Sequence, residues 1–232
     1  MHIGIVACSA EGAALCYRTI CVEGAELLGR PHAHPEVSMH THSLADYMER
    51  IYRDDWRGVG ELMLSSAQKL ASIGAKFVIC PDNTIHQALI HIEARSPLPW
   101  LHIAEVVAAH AVERGFRRIG LTGTQWLVES AVYPEKLEAR GLSYVRPSAG
   151  ERAEINRIIM DELVRGVFKP AAVACFQGVI GRLKTAGCDA VVLGCTEIPL
   201  IMNDANSPLP TLDSTRLLAR AALRWAVSVK DK

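Results

Sequence analysis

Short apolar runs alternate with longer amphipathic stretches along this chain. Four runs rich in Val and Ile stand out, at residues 3–6, 77–79, 119–121 and 190–193. Such runs are typical of strands that are buried on both faces of a parallel sheet. Between the runs, apolar residues recur at helical spacing, as in residues 61–73 and 154–164, and a glycine follows each of these stretches. This alternation predicts an α/β fold with parallel sheets.

The chain also contains an internal repeat. Three pairs of segments match at nearly constant offsets of 113, 111 and 116 residues: 74–83 with 187–196, 96–101 with 207–212, and 3–5 with 119–121. The second pair shares the run Ser-Pro-Leu-Pro-x-Leu, which a general likeness between strand–helix units does not explain. We therefore predict two related lobes, residues 1–97 and 98–207, with residues 208–232 packing back on the first lobe.

Two reactive side chains occupy equivalent positions in this repeat. Asp82 and Cys195 each come just after a buried strand. Parallel α/β sheets bind ligands at the carboxyl ends of their strands, so we expect two pseudo-symmetric lobes with the active site in the cleft between them. A thiol at a helix N-terminus, as expected for Cys195, tends towards the thiolate. A carboxylate and a thiol on opposite faces of a bound α-carbon are suited to stereoinversion.

The amino-acid composition limits the kinds of molecule that this protein is expected to bind. The 232 residues are 50% apolar and carry 25 basic and 25 acidic side chains, which gives no basic surplus for nucleic acid. No apolar run is long enough to cross a membrane. The seven cysteines are scattered without paired spacing, which favours reduced thiols in the cytoplasm. No Walker A run, GxGxxG or pyridoxal motif is present, so we expect a small-molecule partner and no cofactor.

Several motifs together point to one family. They are Gly4-Ile5-Val6, Asn83-Thr84 with His86, Ser96-Pro97-Leu98-Pro99, Leu121-Thr122-Gly123-Thr124, and Gly194-Cys195-Thr196-Glu197-Ile198-Pro199. With them the chain resembles the cofactor-independent aspartate/glutamate racemase superfamily, which includes hydantoin racemases, maleate isomerase and arylmalonate decarboxylase. The resemblance implies an isomerase, an amino-acid racemase that works without pyridoxal phosphate on an amino-acid or carboxylate substrate, and a homodimer.

The chain departs from the family pattern at one catalytic position. The pattern Pro-Cys-Asn-Thr is replaced by Pro81-Asp82-Asn83-Thr84. Our hypothesis is that Asp82 and Cys195 exchange the α-proton of the substrate. The alternatives are a single-cysteine isomerase, decarboxylase or lyase of the same superfamily, a non-catalytic carboxylate-binding protein, and a role for Asp82 as a helix cap alone.

The resemblance also implies residues that bind the substrate. We assign this role to six side chains with hydroxyl, amide or carboxylate groups: Ser9, Asn83, Thr84, Thr124, Thr196 and Glu197. The threonines at 84 and 196 are equally suited to cap helices.

Four histidines raise the alternative of a metal site. They occur as two His-x-His pairs, at residues 32, 34, 40 and 42, and on a strand His40 and His42 would point to one face. The sequence places no acidic or thiol partner with them, and we predict no metal. Residues 40–47 more plausibly form a wall of the substrate pocket.

Overall fold

The chain divides into two compact units in the computed structural model, which describes residues 1–228. The first unit comprises Met1–Ile103 together with residues 215–228. The second comprises Ala104–Ser214. Each unit is built on a four-stranded sheet in which all strands run parallel.

The first unit begins with a buried central strand and alternates strands with helices. Its elements are β1 (Ile3–Ala7), α1 (Ala10–Leu28), β2 (Val37–Thr41), α2 (Leu44–Tyr52), α3 (Trp56–Ser72), β3 (Phe77–Ile79), the 3-10 helices Thr84–His91 and Glu93–Arg95, and β4 (Trp100–Leu101). The strand order is β2-β1-β3-β4. Every residue of β1 and β3 is buried, whereas the edge strand β2 is partly exposed.

The second unit repeats this arrangement. Its elements are α4 (Ile103–Glu113), β5 (Arg118–Thr122), α5 (Gln125–Glu129), α6 (Val132–Glu138), β6 (Ser143–Val145), α7 (Ala149–Asp161), the 3-10 helix Leu163–Arg165, α8 (Pro170–Thr185), β7 (Ala190–Leu193), the 3-10 helix Ile198–Leu200 and β8 (Thr211–Asp213). The strand order is β6-β5-β7-β8. Phe176 of α8 is fully buried in its core, together with Ile159 of α7 and Val191 of β7.

The α/β class and the two parallel sheets are confirmed. The division of the chain, however, lies later than residues 97 and 208. Residues 100–101 form β4, which pairs with β3 through Val78 and Trp100, and residues 211–213 form β8, which pairs with β7. Each Ser-Pro-Leu-Pro run therefore leads into the edge strand of the unit that precedes it, which moves both boundaries along the chain.

The last helix, α9 (Ser214–Ser228), returns to the first unit. Arg220 donates two hydrogen bonds to the carboxylate of Glu23 on α1, at 2.7 and 2.9 Å. Trp225 stacks on Phe77 of β3 with ring centroids 4.4 Å apart. The segment predicted to pack back on the first lobe ends with residues 229–232, which lie outside the described residues. Within residues 1–228, no helix combines the length and apolar character needed to cross a membrane.

Candidate active site

Asp82 lies in the loop that follows β3. One oxygen of its partly buried carboxylate, Oδ1, accepts the backbone N–H of Ile85 at 3.2 Å, so the side chain caps the first turn of the 3-10 helix Thr84–His91. Asn83 and Thr84, predicted to bind substrate, are both buried beside it. The capping role considered for Asp82 is thus present.

His86 joins this loop to the start of α4 through two hydrogen bonds of its ring. Its Nδ1 donates to the backbone carbonyl of Asp82 at 2.6 Å, and its Nε2 accepts the backbone N–H of Ile103 at 3.3 Å. A ring that donates from one nitrogen and accepts at the other is neutral, with its proton on Nδ1. The sequence identified His86 only as part of a motif, because its partner Ile103 is 17 residues away and carries no polar side chain.

Ser9 follows β1, the strand next to β3 in the sheet. Its hydroxyl accepts the backbone N–H of Gly12 at 3.3 Å and caps α1. A serine hydroxyl can both accept and donate hydrogen bonds. Since the carboxyl ends of β1 and β3 lie at one edge of the sheet, Ser9 and Asp82 belong to the same edge.

Tyr47 of α2 also lies near this edge, and it is completely buried. Burial raises the pKa of its phenol, and the neighbouring Cys80, Cys8 and Asp82 raise that pKa further. Burial likewise raises the pKa of the Cys80 thiol well above its usual range, and the charge of Asp82 adds to this effect. Both groups therefore stay protonated near neutral pH.

The histidines at the end of β2 belong to a hydrogen-bonded chain. Lys69 of α3 donates to Nε2 of His40 at 3.0 Å, and Nδ1 of His40 lies 2.9 Å from the hydroxyl of Ser66. The ring of His42 lies edge-on to that of His40, with centroids 4.9 Å apart. Burial lowers the pKa of both histidines, and Lys69 lowers it further. Within residues 1–228, no group of three or more His, Cys, Asp or Glu side chains is arranged to hold a metal ion.

In the second unit, Cys195 lies in the loop that follows β7. Its Sγ donates to Oε2 of Glu197 at 2.9 Å, and the hydroxyl of Thr196 donates to the same oxygen at 2.8 Å. Cys195 is only 8% exposed and Glu197 only 3%. A buried carboxylate oxygen that accepts a hydrogen bond from the thiol is within reach for proton exchange with it. Glu197, predicted to bind substrate, thus contacts Cys195 itself.

Two glycines allow this loop to lie against its neighbour. A Cβ atom on Gly194 would come within 2.5 Å of the carbonyl oxygen of Thr122, to which the N–H of Gly194 donates at 2.9 Å. Gly123 has a φ of +155° and lies against the backbone of Gly194. Thr124, the next residue, accepts the N–H of Leu127 and caps α5. The close approach brings Thr124 and Cys195 to the same edge of the second sheet.

The prediction that Cys195 lies at the N-terminus of a helix is wrong. The segment after Cys195 forms turns and then the 3-10 helix Ile198–Leu200, which is too short to carry a substantial dipole. The thiol is instead governed by the carboxylate of Glu197. The predicted site residues therefore form two groups: Ser9, Asp82, Asn83 and Thr84 in the first unit, and Thr124, Cys195, Thr196 and Glu197 in the second.

Comparison with known proteins identifies the family. The model of the Asp/Glu/hydantoin racemase family matches residues 8–222, which is nearly the whole chain and spans both sheets. The chain belongs to this family. The resemblance derived from the sequence motifs is thereby confirmed.

Relatives within the Asp/Glu/hydantoin racemases are distant in sequence. The chain is 22% identical to the broad specificity amino-acid racemase RacX of Bacillus subtilis (strain 168), over 69% of each protein. It is 28% identical to the glutamate racemase of Corynebacterium diphtheriae, over 62% of this chain and 53% of that protein. An aspartate racemase homologue from Pyrococcus horikoshii OT3 superposes with a TM-score of 0.82 at 25% identity and covers 97% of this chain and 98% of its own.

Proposed function

We propose that this protein is a cofactor-independent, PLP-independent amino-acid racemase of the aspartate/glutamate type, in which Asp82 and Cys195 exchange the α-proton. Three observations support the proposal. The chain belongs to the Asp/Glu/hydantoin racemase family. The two groups follow corresponding strands, β3 and β7, of sheets with the same strand order. The thiol of Cys195 donates to the buried carboxylate of Glu197, and this contact carries the proposal because it couples the thiol to a proton acceptor.

The proposed proton transfers balance over one turnover. In one direction the Asp82 carboxylate takes the α-proton and becomes a carboxylic acid. The Cys195 thiol then gives its proton to the opposite face of the α-carbon and becomes a thiolate. The reverse reaction exchanges these roles. Before the next turnover in the same direction, the carboxylic acid of Asp82 releases its proton to solvent and the Cys195 thiolate takes one up, and Glu197, 2.9 Å from the sulfur, is placed to relay that second proton.

We assign the binding of the substrate carboxylate to Asn83, Thr84 and Thr124, together with Ser9. The hydroxyls of Ser9 and Thr124 accept backbone N–H groups, and a hydroxyl is a group that can both accept and donate hydrogen bonds. Thr196 directs its hydroxyl proton to Glu197, so it would contribute through its backbone N–H instead. Such donors also stabilise the negative charge that develops when the α-proton leaves.

The proposal is tested by incubating each common amino acid with the protein in deuterated water, followed by chiral chromatography and mass spectrometry. We expect at least one amino acid to appear as both enantiomers, with solvent deuterium at the α-carbon of the inverted product. A Cys195→Ser variant serves as the control in which inversion of the amino acid should be lost. Absence of α-deuterium in every amino acid of the panel would refute proton exchange. Consumption of a substrate without inversion would favour a lyase or decarboxylase.

A further inference from the structure

The chain passes between the two units at equivalent positions. It leaves the first unit after Ile103, the first residue of α4, and returns after Ser214, the first residue of α9. Ile103 and Ser214 are 111 residues apart, which is the offset of the Ser-Pro-Leu-Pro repeat. Each comes just after the edge strand of its unit, β4 or β8. We call Ile103 and Ser214 the crossing residues.

The first crossing residue is hydrogen-bonded to the segment that carries Asp82. Nε2 of His86 accepts the backbone N–H of Ile103 at 3.3 Å, and Nδ1 donates to the backbone carbonyl of Asp82 at 2.6 Å. His86 is buried, so water does not compete for either bond. The imidazole ring is rigid, and it therefore fixes the separation between the backbone of Asp82 and that of Ile103.

The second crossing residue is hydrogen-bonded to the strand that leads to Cys195. The hydroxyl of Ser214 donates to the backbone carbonyl of Leu193 at 2.8 Å, and both residues are buried. Leu193 ends β7, and only Gly194 separates it from Cys195. Gly194 is itself held by a hydrogen bond from its N–H to the carbonyl of Thr122 at 2.9 Å. The backbone before Cys195 is therefore fixed to the second crossing residue.

Different side chains make the two connections. At the offset of 113 that relates Asp82 to Cys195, the position of His86 corresponds to Pro199, whose side chain offers no hydrogen bond. The second unit uses the hydroxyl of the crossing residue Ser214 instead. The two units thus share a connection between a reactive position and a crossing residue, although a ring supplies it in one unit and a hydroxyl in the other.

Proton transfer depends steeply on the placement of the reactive group, and a displacement of about 1 Å can lower a rate by roughly 100-fold. We propose that His86 and Ser214 are positioning residues for this transfer. His86 holds Asp82 relative to Ile103. Ser214 holds the backbone that leads to Cys195. The inference rests on the proposed exchange of the α-proton by Asp82 and Cys195. Because each positioning residue supports one reactive group, each governs exchange on one face of the α-carbon.

Exchange of the α-proton with deuterated solvent, measured separately on each pure enantiomer, tests the two roles. In His86→Gln the amide reaches the place of Nε2, so an acceptor for Ile103 remains while the donor to Asp82 is lost. Exchange of the enantiomer that Asp82 deprotonates should fall by about tenfold, and exchange of the other enantiomer by less than about twofold. Ser214→Ala removes the hydrogen bond to Leu193 and should produce the opposite preference.

Two further variants separate positioning from stability. His86→Asn breaks the same connection at its other end, because its shorter amide reaches Asp82 but not Ile103, so it should also slow exchange at Asp82. Thr19→Val is the matched control. It removes a buried hydrogen bond of the first unit, 2.7 Å long, from the hydroxyl of Thr19 to the carbonyl of Leu15. It should leave exchange of both enantiomers at the wild-type rate, whatever its effect on the melting temperature.

Variants at the reactive positions decide which claim an unexpected result affects. Asp82→Asn and Cys195→Ser show which enantiomer each reactive group serves. If they separate the enantiomers but His86→Gln or Ser214→Ala slows both enantiomers equally, or neither, the positioning role of that residue is overturned and the proposed function stands. If they do not separate the enantiomers, the proposed function fails and both positioning roles fail with it.

Discussion

The loops that follow β3 and β7 occupy the same place in two sheets of identical strand order, yet they hold their reactive groups by different means. After β3, the carboxylate of Asp82 accepts a backbone N–H group, and the backbone carbonyl of Asp82 accepts a hydrogen bond from the ring of His86. After β7, Cys195 is held by a side chain, the buried carboxylate of Glu197.

The two loops therefore present different residues at corresponding positions and support them with different contacts. A carboxylic acid titrates several pH units below a thiol in water. Because the thiol is the weaker acid, a nearby carboxylate such as Glu197 strongly affects proton transfer at Cys195. Asp82 ionises readily, so it needs a defined orientation more than an additional base. Substitutions in each loop can separate these two forms of support.

The largest expected effect comes from Cys195→Ser. Serine keeps the size and a hydrogen-bond donor for Glu197 but loses the readily ionised thiol, so the racemisation rate should fall by about 10²–10⁴-fold. The melting temperature should change little. Cys188→Ser, at a buried cysteine in the same unit, is the matched control and should retain activity. Full activity of Cys195→Ser would remove the thiol from the mechanism.

Asp82→Asn is expected to have a comparable effect on rate and almost none on stability. The amide oxygen can still accept the N–H of Ile85, so the cap is preserved, while the titratable proton is lost. We expect racemisation to fall by about 10²–10⁴-fold in a chiral assay. Turnover that survives this substitution would assign the reaction to Cys195 alone, and the comparison between the loops would lose its functional meaning.

Glu197→Gln tests how the carboxylate of Glu197 supports the Cys195 thiol in the loop after β7. A charged carboxylate 2.9 Å from the sulfur opposes formation of the thiolate, so its removal should speed alkylation of Cys195 at neutral pH by roughly tenfold. Racemisation should nevertheless become slower, because the proton relay is lost. The two rates are measured on the same preparation. If alkylation slows as well, Glu197 acts as a general base that generates the thiolate rather than as a group that restrains it.

The smallest effect is expected for Cys80→Ser. Burial raises the pKa of Cys80 well above its usual range, and the thiol therefore stays protonated from neutral to mildly alkaline pH. In the folded protein Cys80 should resist alkylation at these pH values, as judged by mass spectrometry of tryptic peptides. The variant should racemise at the wild-type rate. A large loss of activity would make Cys80, rather than Asp82, the candidate on the first side.

The sheet cores were predictable because their strands are continuous apolar runs. Residues 77–79 and 190–193 coincide with β3 and β7. The edge strand Ser143–Val145 was not predicted, since only part of its surface is buried and its sequence lacks an apolar run. Helix starts were also displaced: the pattern from residue 61 belongs to a helix that begins at Trp56, where Asp55 caps the backbone.

The positions of Asp82 and Cys195 after buried strands were predictable from the repeat, but the contacts of these two residues were not. Asp82 and Cys195 follow buried strands, which a sequence pattern reveals. The contact between Cys195 and Glu197 depends on turns that replace the expected helix, and the contact between His86 and Ile103 depends on chain folding over 17 residues. Local geometry of this kind leaves no periodic signal in the sequence.

The most direct test of the central claim is the exchange of the α-proton with deuterated solvent, measured separately for each pure enantiomer of the substrate with Cys195→Ser and Asp82→Asn. Each variant retains the group on one face, so each should exchange one enantiomer at a measurable rate and the other far more slowly. The account predicts that the two variants prefer opposite enantiomers. If both variants exchange the same enantiomer, or neither loses exchange on either face, Asp82 and Cys195 are not the opposed pair.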